Sequence, residues 1–268
     1  MSVKKFFKQQ FQLRSFLLKH DMTSDFYLSC FQRNQSTVPL LIIRTVIFAG
    51  CLSILIASLV LMTLYIPMQF WPIYLTHWGI VLNTIAAGFG LLISIMVSFK
   101  LPLDTNSGLP WYVQVYWAMF NIATPIAFFI TVFYWSLLSD LAQDFAFDST
   151  LDIFIHAINS VLMFALLMTS RHPTYFLHVF FPIGIGIIYL VFTYVYFVLG
   201  GLDPSGQHAI YPMIDWEKPG QTVGLAALCT LGFTILHGVV VGLTAGRDAV
   251  SRRCRKDNTA YDIHEAYY

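Results

Sequence analysis

"PLLIIRTVIFAGCLSILIASLVLMTL", residues 39–64, contains one arginine and no other charged side chain. A helix needs about 20 apolar residues to cross roughly 30 Å of hydrocarbon, and this stretch has them. It lacks the polar stripe that a surface helix of a water-soluble domain requires. Five more stretches read the same way, at about 75–99, 112–138, 151–170, 176–199 and 222–245. The composition agrees. The chain is 57% hydrophobic and 11% charged, where a soluble domain carries about a quarter charged residues, and its mean hydropathy is +0.67. The expected fold class is all-α, an integral membrane six-helix bundle. Residues 1–38 form an N-terminal segment, 39–246 the membrane domain and 247–268 a basic tail. Basic residues cluster near the termini without a recognition motif, so no nucleic-acid partner is expected.

Lys and Arg set the expected orientation. Lys4, Lys5, Lys8, Arg14, Lys19 and Arg33 precede the first span, and Arg247, Arg252, Arg253, Arg255 and Lys256 follow the last. Lys100 and Arg171 fall in loops on the same side, and Arg44 can snorkel toward it. Lys218 is the one basic residue opposite. Both termini should therefore be cytoplasmic. Asp140, Asp144 and Asp148 then sit in an outer loop, and "NQS" at Asn34 stays unglycosylated. Residues 3–18, "VKKFFKQQFQLRSFLL", set Phe and Leu against Lys and Gln at roughly helical spacing, as an interfacial helix on the inner leaflet does. The first long apolar run begins near Val38, too late for the core of a secretory signal. Cys254 beside basic residues is either a free thiol or a palmitoylation site.

Polar side chains at membrane depth are costly and usually face the bundle interior. Thr76, His77 and Asn83 fall in the second span, Asn121 in the third, His156 and Asn159 in the fourth and His237 in the sixth. Thr76 and Asn83 are seven apart and share a helix face, as do His156 and Asn159, three apart. Thr76 opens its span, and His156 lies roughly 7 Å into its own at 1.5 Å per residue. The two can meet near the outer polar boundary. His77, beside Trp78, reads as a headgroup-facing residue. Pro125 frees the carbonyl of Asn121 and can kink the third span.

A threonine hydroxyl becomes a nucleophile when a base takes its proton, and histidine titrates near neutrality. Thr76 and His156 are thus candidate catalytic residues for acyl transfer on a lipid ester. Asn83, Asn121 and Asn159 are candidate pocket residues, able to orient the imidazole or donate to an oxyanion. Each amide also reads as interhelical hydrogen-bond glue. The histidines do not form the clusters of membrane di-iron enzymes or matched haem pairs. No metal site and no cofactor are expected.

"DFYLSCFQ", "LTHWG", "LPWYVQVYWAMFNIA", "TVFYW", "HAINSVL" and "GGLD…AIYPMIDW", in that order, resemble the rolling stone family of multipass proteins. The resemblance covers nearly the whole chain. It implies a plasma-membrane protein from a family named for a role in myoblast fusion, with a cell-surface partner. More distantly, "YLTHWGIVLNT" and "HAINSVLMFALL" are similar to the Thr and His motifs of the androgen-induced and androgen-dependent TFPI-regulating proteins. That likeness implies hydrolysis of fatty acid esters of hydroxy fatty acids by Thr76 and His156. The chain departs from that pattern in lacking HTxxLP after His156, and it has Leu166 in place of an acidic residue. The expected partners are therefore membrane lipids, with a lipid ester as candidate substrate. The alternative is a non-catalytic fusion or adhesion protein.

Overall fold

The computed structural model describes residues 3–32, 34–101, 108–138 and 149–254. Most of the 101–111 turn, the 140–148 aspartates, Arg33 and the tail beyond Cys254 lie outside them.

Among the described residues six helices are long and apolar enough to cross a membrane: Val38–Thr63, Leu75–Ser98, Trp111–Leu138, Ser149–Thr169, Phe176–Val198 and Pro219–Cys254. They are called the first to sixth spans below. The first five end within about two residues of the boundaries read from hydropathy. The sixth runs on to Cys254, because nothing after "VVVGLTAG" breaks a helix until the tail. Among the described residues there is no β-strand, only a bridge between Tyr211 and Ile214 in the last loop.

The third span is the core of the bundle. Two thirds (67%) of its apolar window is buried, against 17% for the sixth. Tyr116, Trp117, Phe120, Ala123 and Ile126 on it are fully buried. The second span packs closely along it because small residues line the seam. A Cβ on Gly90 would come 2.9 Å from Tyr116 Cε2, and one on Gly79 would overlap Ile130 Cδ1. Ala86 and Ala87 fill the space between. Membrane helices associate by this kind of close approach, since apolar burial gains little inside lipid. Pro125 is accommodated within a helix that runs continuously from Trp111 to Phe133.

Among the described residues two π-helical turns interrupt the regular winding. Tyr134–Leu138 closes the third span, and Phe154–Ile158 lies in the fourth. Such turns shift side chains out of the α-helical register and frequently mark functional sites.

The N-terminal segment folds back beneath one end of the bundle. A helix, Val3–Gln10, precedes short 3-10 turns at Leu13–Phe16 and Thr23–Phe26. The Cys30 N–H and thiol donate to the Thr169 and Met168 carbonyls. Gln10 Oε1 accepts the Phe176 N–H at 2.8 Å. This end is called the terminal face. The opposite end, the loop face, carries residues 64–74 and 199–218.

Arg44 does not snorkel. It is buried and turns into the bundle, donating to Gly90 O (2.8 Å), Ser94 Oγ (2.9 Å) and Tyr116 Oη (3.1 Å). Tyr116 Oη also meets His172 Nε2 at 3.2 Å. The turn at 170–176 is held from several elements. Arg247 donates to the Leu167 and His172 carbonyls, each at 3.0 Å. Trp117 Nε1 donates to Pro173 O, and His237 Nε2 bonds Tyr175 O. Asp25 pairs with Arg171 at 2.9 Å and with His20 at 2.8 Å.

Candidate functional site

The loop face holds a partly open cavity of about 110 Å³. Leu75 and Thr76 form one wall, and Phe129, Phe133 and Tyr134 another. Tyr189 and Phe233 come from the fifth and sixth spans, and Tyr211 with Ile214 from the last loop. None of the described lining residues carries a charge. The walls are almost wholly apolar, and the polar groups are hydroxyls and one thiol, Cys229.

The hydroxyls gather beside Thr76. The second span starts at Leu75 after a 3-10 turn, Met68–Ile73, so its first N–H groups have no helical acceptor. Tyr211 supplies one: its phenol oxygen accepts the Leu75 N–H at 3.1 Å. The Thr76 hydroxyl and Tyr189 lie beside the same phenol on the cavity wall. Tyr189 Oη donates to Ile73 O at 2.7 Å. Burial raises the Tyr211 pKa, and the Leu75 bond opposes the shift without reversing it. Tyr211 therefore stays a neutral phenol at physiological pH.

His156 sits behind Tyr134. The two rings are parallel within 3° with centroids 3.5 Å apart. Nδ1 of His156 lies 3.1 Å from the Asp152 carbonyl. A carbonyl accepts only, so Nδ1 carries the proton and the lone pair is on Nε2. Tyr134 Oη donates to Asp152 Oδ2 at 3.1 Å. Both π turns contribute: Tyr134 begins one and His156 is central in the other. The Thr131 hydroxyl donates to the His156 carbonyl and tethers the bulge to the third span.

His77 departs from its expected place. It is buried within the bundle, its ring lies flat on Trp71 at 4.5 Å, and its Nδ1 bonds the Trp71 carbonyl. The 3-10 turn swings Trp71 back over the ring, a tertiary event that periodicity does not encode.

The expected site residues thus fall into three places. Thr76 lines the cavity. His156 lies one ring behind its wall, and among the described residues no hydrogen bond joins it to Thr76. Asn83 and Asn159 meet deeper in the bundle, where Asn83 Nδ2 donates to Asn159 Oδ1 at 2.8 Å. Asn121 is fully buried and its amide donates to the Trp117 carbonyl at 2.7 Å. None of the three asparagines lines the cavity. Asn83 Oδ1, Asn159 Nδ2 and Asn121 Oδ1 have no partner among the described residues. Tyr211, Tyr134 and Tyr189 were missed as site residues. Tyr211 reads as a headgroup-level aromatic, and its contact with Thr76 spans 135 positions of chain.

A family model described as protein rolling stone matches residues 2–246. The chain belongs to the rolling stone family. It is 25% identical over 254 residues to protein rolling stone of Drosophila melanogaster, covering 88% of this chain and 89% of that one. No solved structure matches. The matched region of this family member contains the cavity, both π turns and the loop that carries Tyr211.

Proposed function

We propose that this rolling stone family member binds a neutral lipid ester from the outer leaflet of the plasma membrane. The acyl chain enters the loop-face cavity, and the ester meets the hydroxyls of Thr76 and Tyr211. The observation that carries this reading is the cavity itself: apolar walls, no charged side chain among the described lining residues, and hydroxyls gathered at one wall. A charged headgroup would find no counter-charge there, whereas an ester carbonyl would find hydrogen-bond donors. Native mass spectrometry of the purified protein should retain a fatty acyl ester, and Tyr211→Phe with Thr76→Val should release it. Equal retention by the double variant would end the reading.

Hydrolysis is the second reading, favoured by the position of His156 with Nε2 as its basic nitrogen. The Thr76 oxygen would attack the ester carbonyl carbon while its proton passes to His156. The alcohol would leave with that proton, and water would then cleave the acyl-threonine. Tyr134 would have to swing aside to bring the imidazole to the hydroxyl. Fluorophosphonate labelling of the wild type, lost in both Thr76→Ala and His156→Ala at normal expression, would support this route. Labelling unchanged in both variants would exclude it and leave binding alone.

A non-catalytic role in fusion or adhesion rests on the last loop, which is internally braced. Asp203 accepts the Ser205 and Gln207 N–H groups, and Trp216 Nε1 donates to Thr193. Exchanging residues 200–218 would then abolish cell fusion while Thr76→Ala leaves it intact.

A further inference from the structure

We infer that residues 3–19 form a surface that binds the anionic headgroups of the leaflet bordering the terminal face. The segment contains Lys4, Lys5, Lys8, Arg14 and Lys19 and no Asp or Glu. Lys8, Arg14 and Lys19 are exposed. Among these cations the segment also presents large apolar side chains: Leu13 is 89% exposed, Phe11 59% and Phe7 57%. Among its described side chains Gln10 and Ser15 are the buried ones, while Phe11, Phe16 and Leu18 touch the bundle with part of their surface only. The exposed remainder of these apolar side chains is left for something other than this bundle to cover.

Its height in the fold says what covers it. Phe11 packs on Phe176 with ring centroids 5.4 Å apart, and Phe16 stacks on Phe180 at 4.5 Å. Gln10 takes the Phe176 N–H. Phe176 opens the fifth span, so the segment is fastened where that span enters the bilayer. At this depth apolar rings reach the acyl boundary and cations reach the phosphates. A zwitterionic surface would satisfy the rings alone. Five cations without a carboxylate among them call for net negative charge. Arg14 keeps its guanidinium available, since among the described residues its bond is from Nε to Gln12 Oε1.

The experiment uses the full chain in nanodiscs of phosphatidylcholine, with and without added phosphatidylserine. Amide hydrogen exchange across residues 3–19 should slow by at least about fivefold when phosphatidylserine is present, which is the effect of one surface cation. High salt should reverse the change. Lys8→Gln, Arg14→Gln and Lys19→Gln together should abolish the difference while exchange in the six spans stays as in the wild type. Equal exchange in the two lipid compositions would overturn the inference. So would a slowing that persists in the triple variant, since apolar contact or a conformational change would then be its cause.

Discussion

Tyr116 holds together two buried polar groups, the guanidinium of Arg44 and the imidazole of His172. Its hydroxyl meets Arg44 on one side and His172 on the other, and the guanidinium also lies over its ring at 4.9 Å. Tyr116→Phe keeps the ring and removes these hydrogen bonds together with the longer one to Ser170 Oγ. A hydrogen bond to a charged group contributes roughly 1.5–3 kcal/mol, and stability in detergent should fall by about that much. Serial melting or denaturant unfolding in micelles checks it. His172 adds a pH dependence. Burial, followed by the neighbouring Arg247 and Arg44, lowers its pKa well below the ordinary histidine value of 6.5. The native state then resists a proton that the unfolded chain accepts. The stability is fully present above about pH 6.5 and is lost progressively as the pH falls from there toward the folded-state value. Melting temperature should therefore drop between pH 7 and pH 5, and His172→Phe should flatten that slope. Neither residue was legible as part of a network. A lone arginine near a span end reads as a snorkelling side chain, and a histidine in a loop reads as solvated. Only packing shows that both turn toward Tyr116.

At the scale of elements, the spans were legible and their mutual registration was not. Span positions follow from apolar length, which is written locally. The seam between the second and third spans depends on Gly79 and Gly90, two among 16 glycines, and nothing local separates these from Gly184 or Gly242, where an added Cβ meets open space. Gly79→Leu forces a side chain into Ile130 and should destabilise by about 1–3 kcal/mol, as overpacking does. Gly242→Leu should have little effect on the same unfolding assay. The π turns were likewise invisible. "TVFYWSLL" and "FIHAINS" carry no breaker that announces a wider turn, and tertiary contacts fix the register at Tyr134 and His156. Thr131→Val removes the tether to the His156 carbonyl and should loosen the second turn, read as faster amide exchange at residues 154–160. The candidate site divides in the same way. Thr76 was legible from its position at a span start, whereas Tyr211, Tyr134 and the inward rotation of His77 arise from contacts between distant segments.

For the molecule as a whole, the contacts of Cys30, Gln10, Arg171 and Arg247 gather both ends of the described chain on one face. The excess of Lys and Arg there predicts that this face is cytosolic. Cysteine labelling decides it. A membrane-impermeant maleimide should react with Ser205→Cys in intact cells, and with the exposed native Cys254 only after permeabilisation. The reverse pattern would invert the bundle and move the cavity to the other leaflet.

Arg247, which caps the carbonyls of Leu167 and His172, belongs to the sixth span and is synthesised after the other five. Until the ribosome has delivered it, a nascent chain holds five helices whose central turn lacks part of its clasp. A product truncated before position 247 would keep most of its sixth helix and still be poorly assembled. Quality control in the endoplasmic reticulum should therefore remove such truncations even where every residue of the cavity is present.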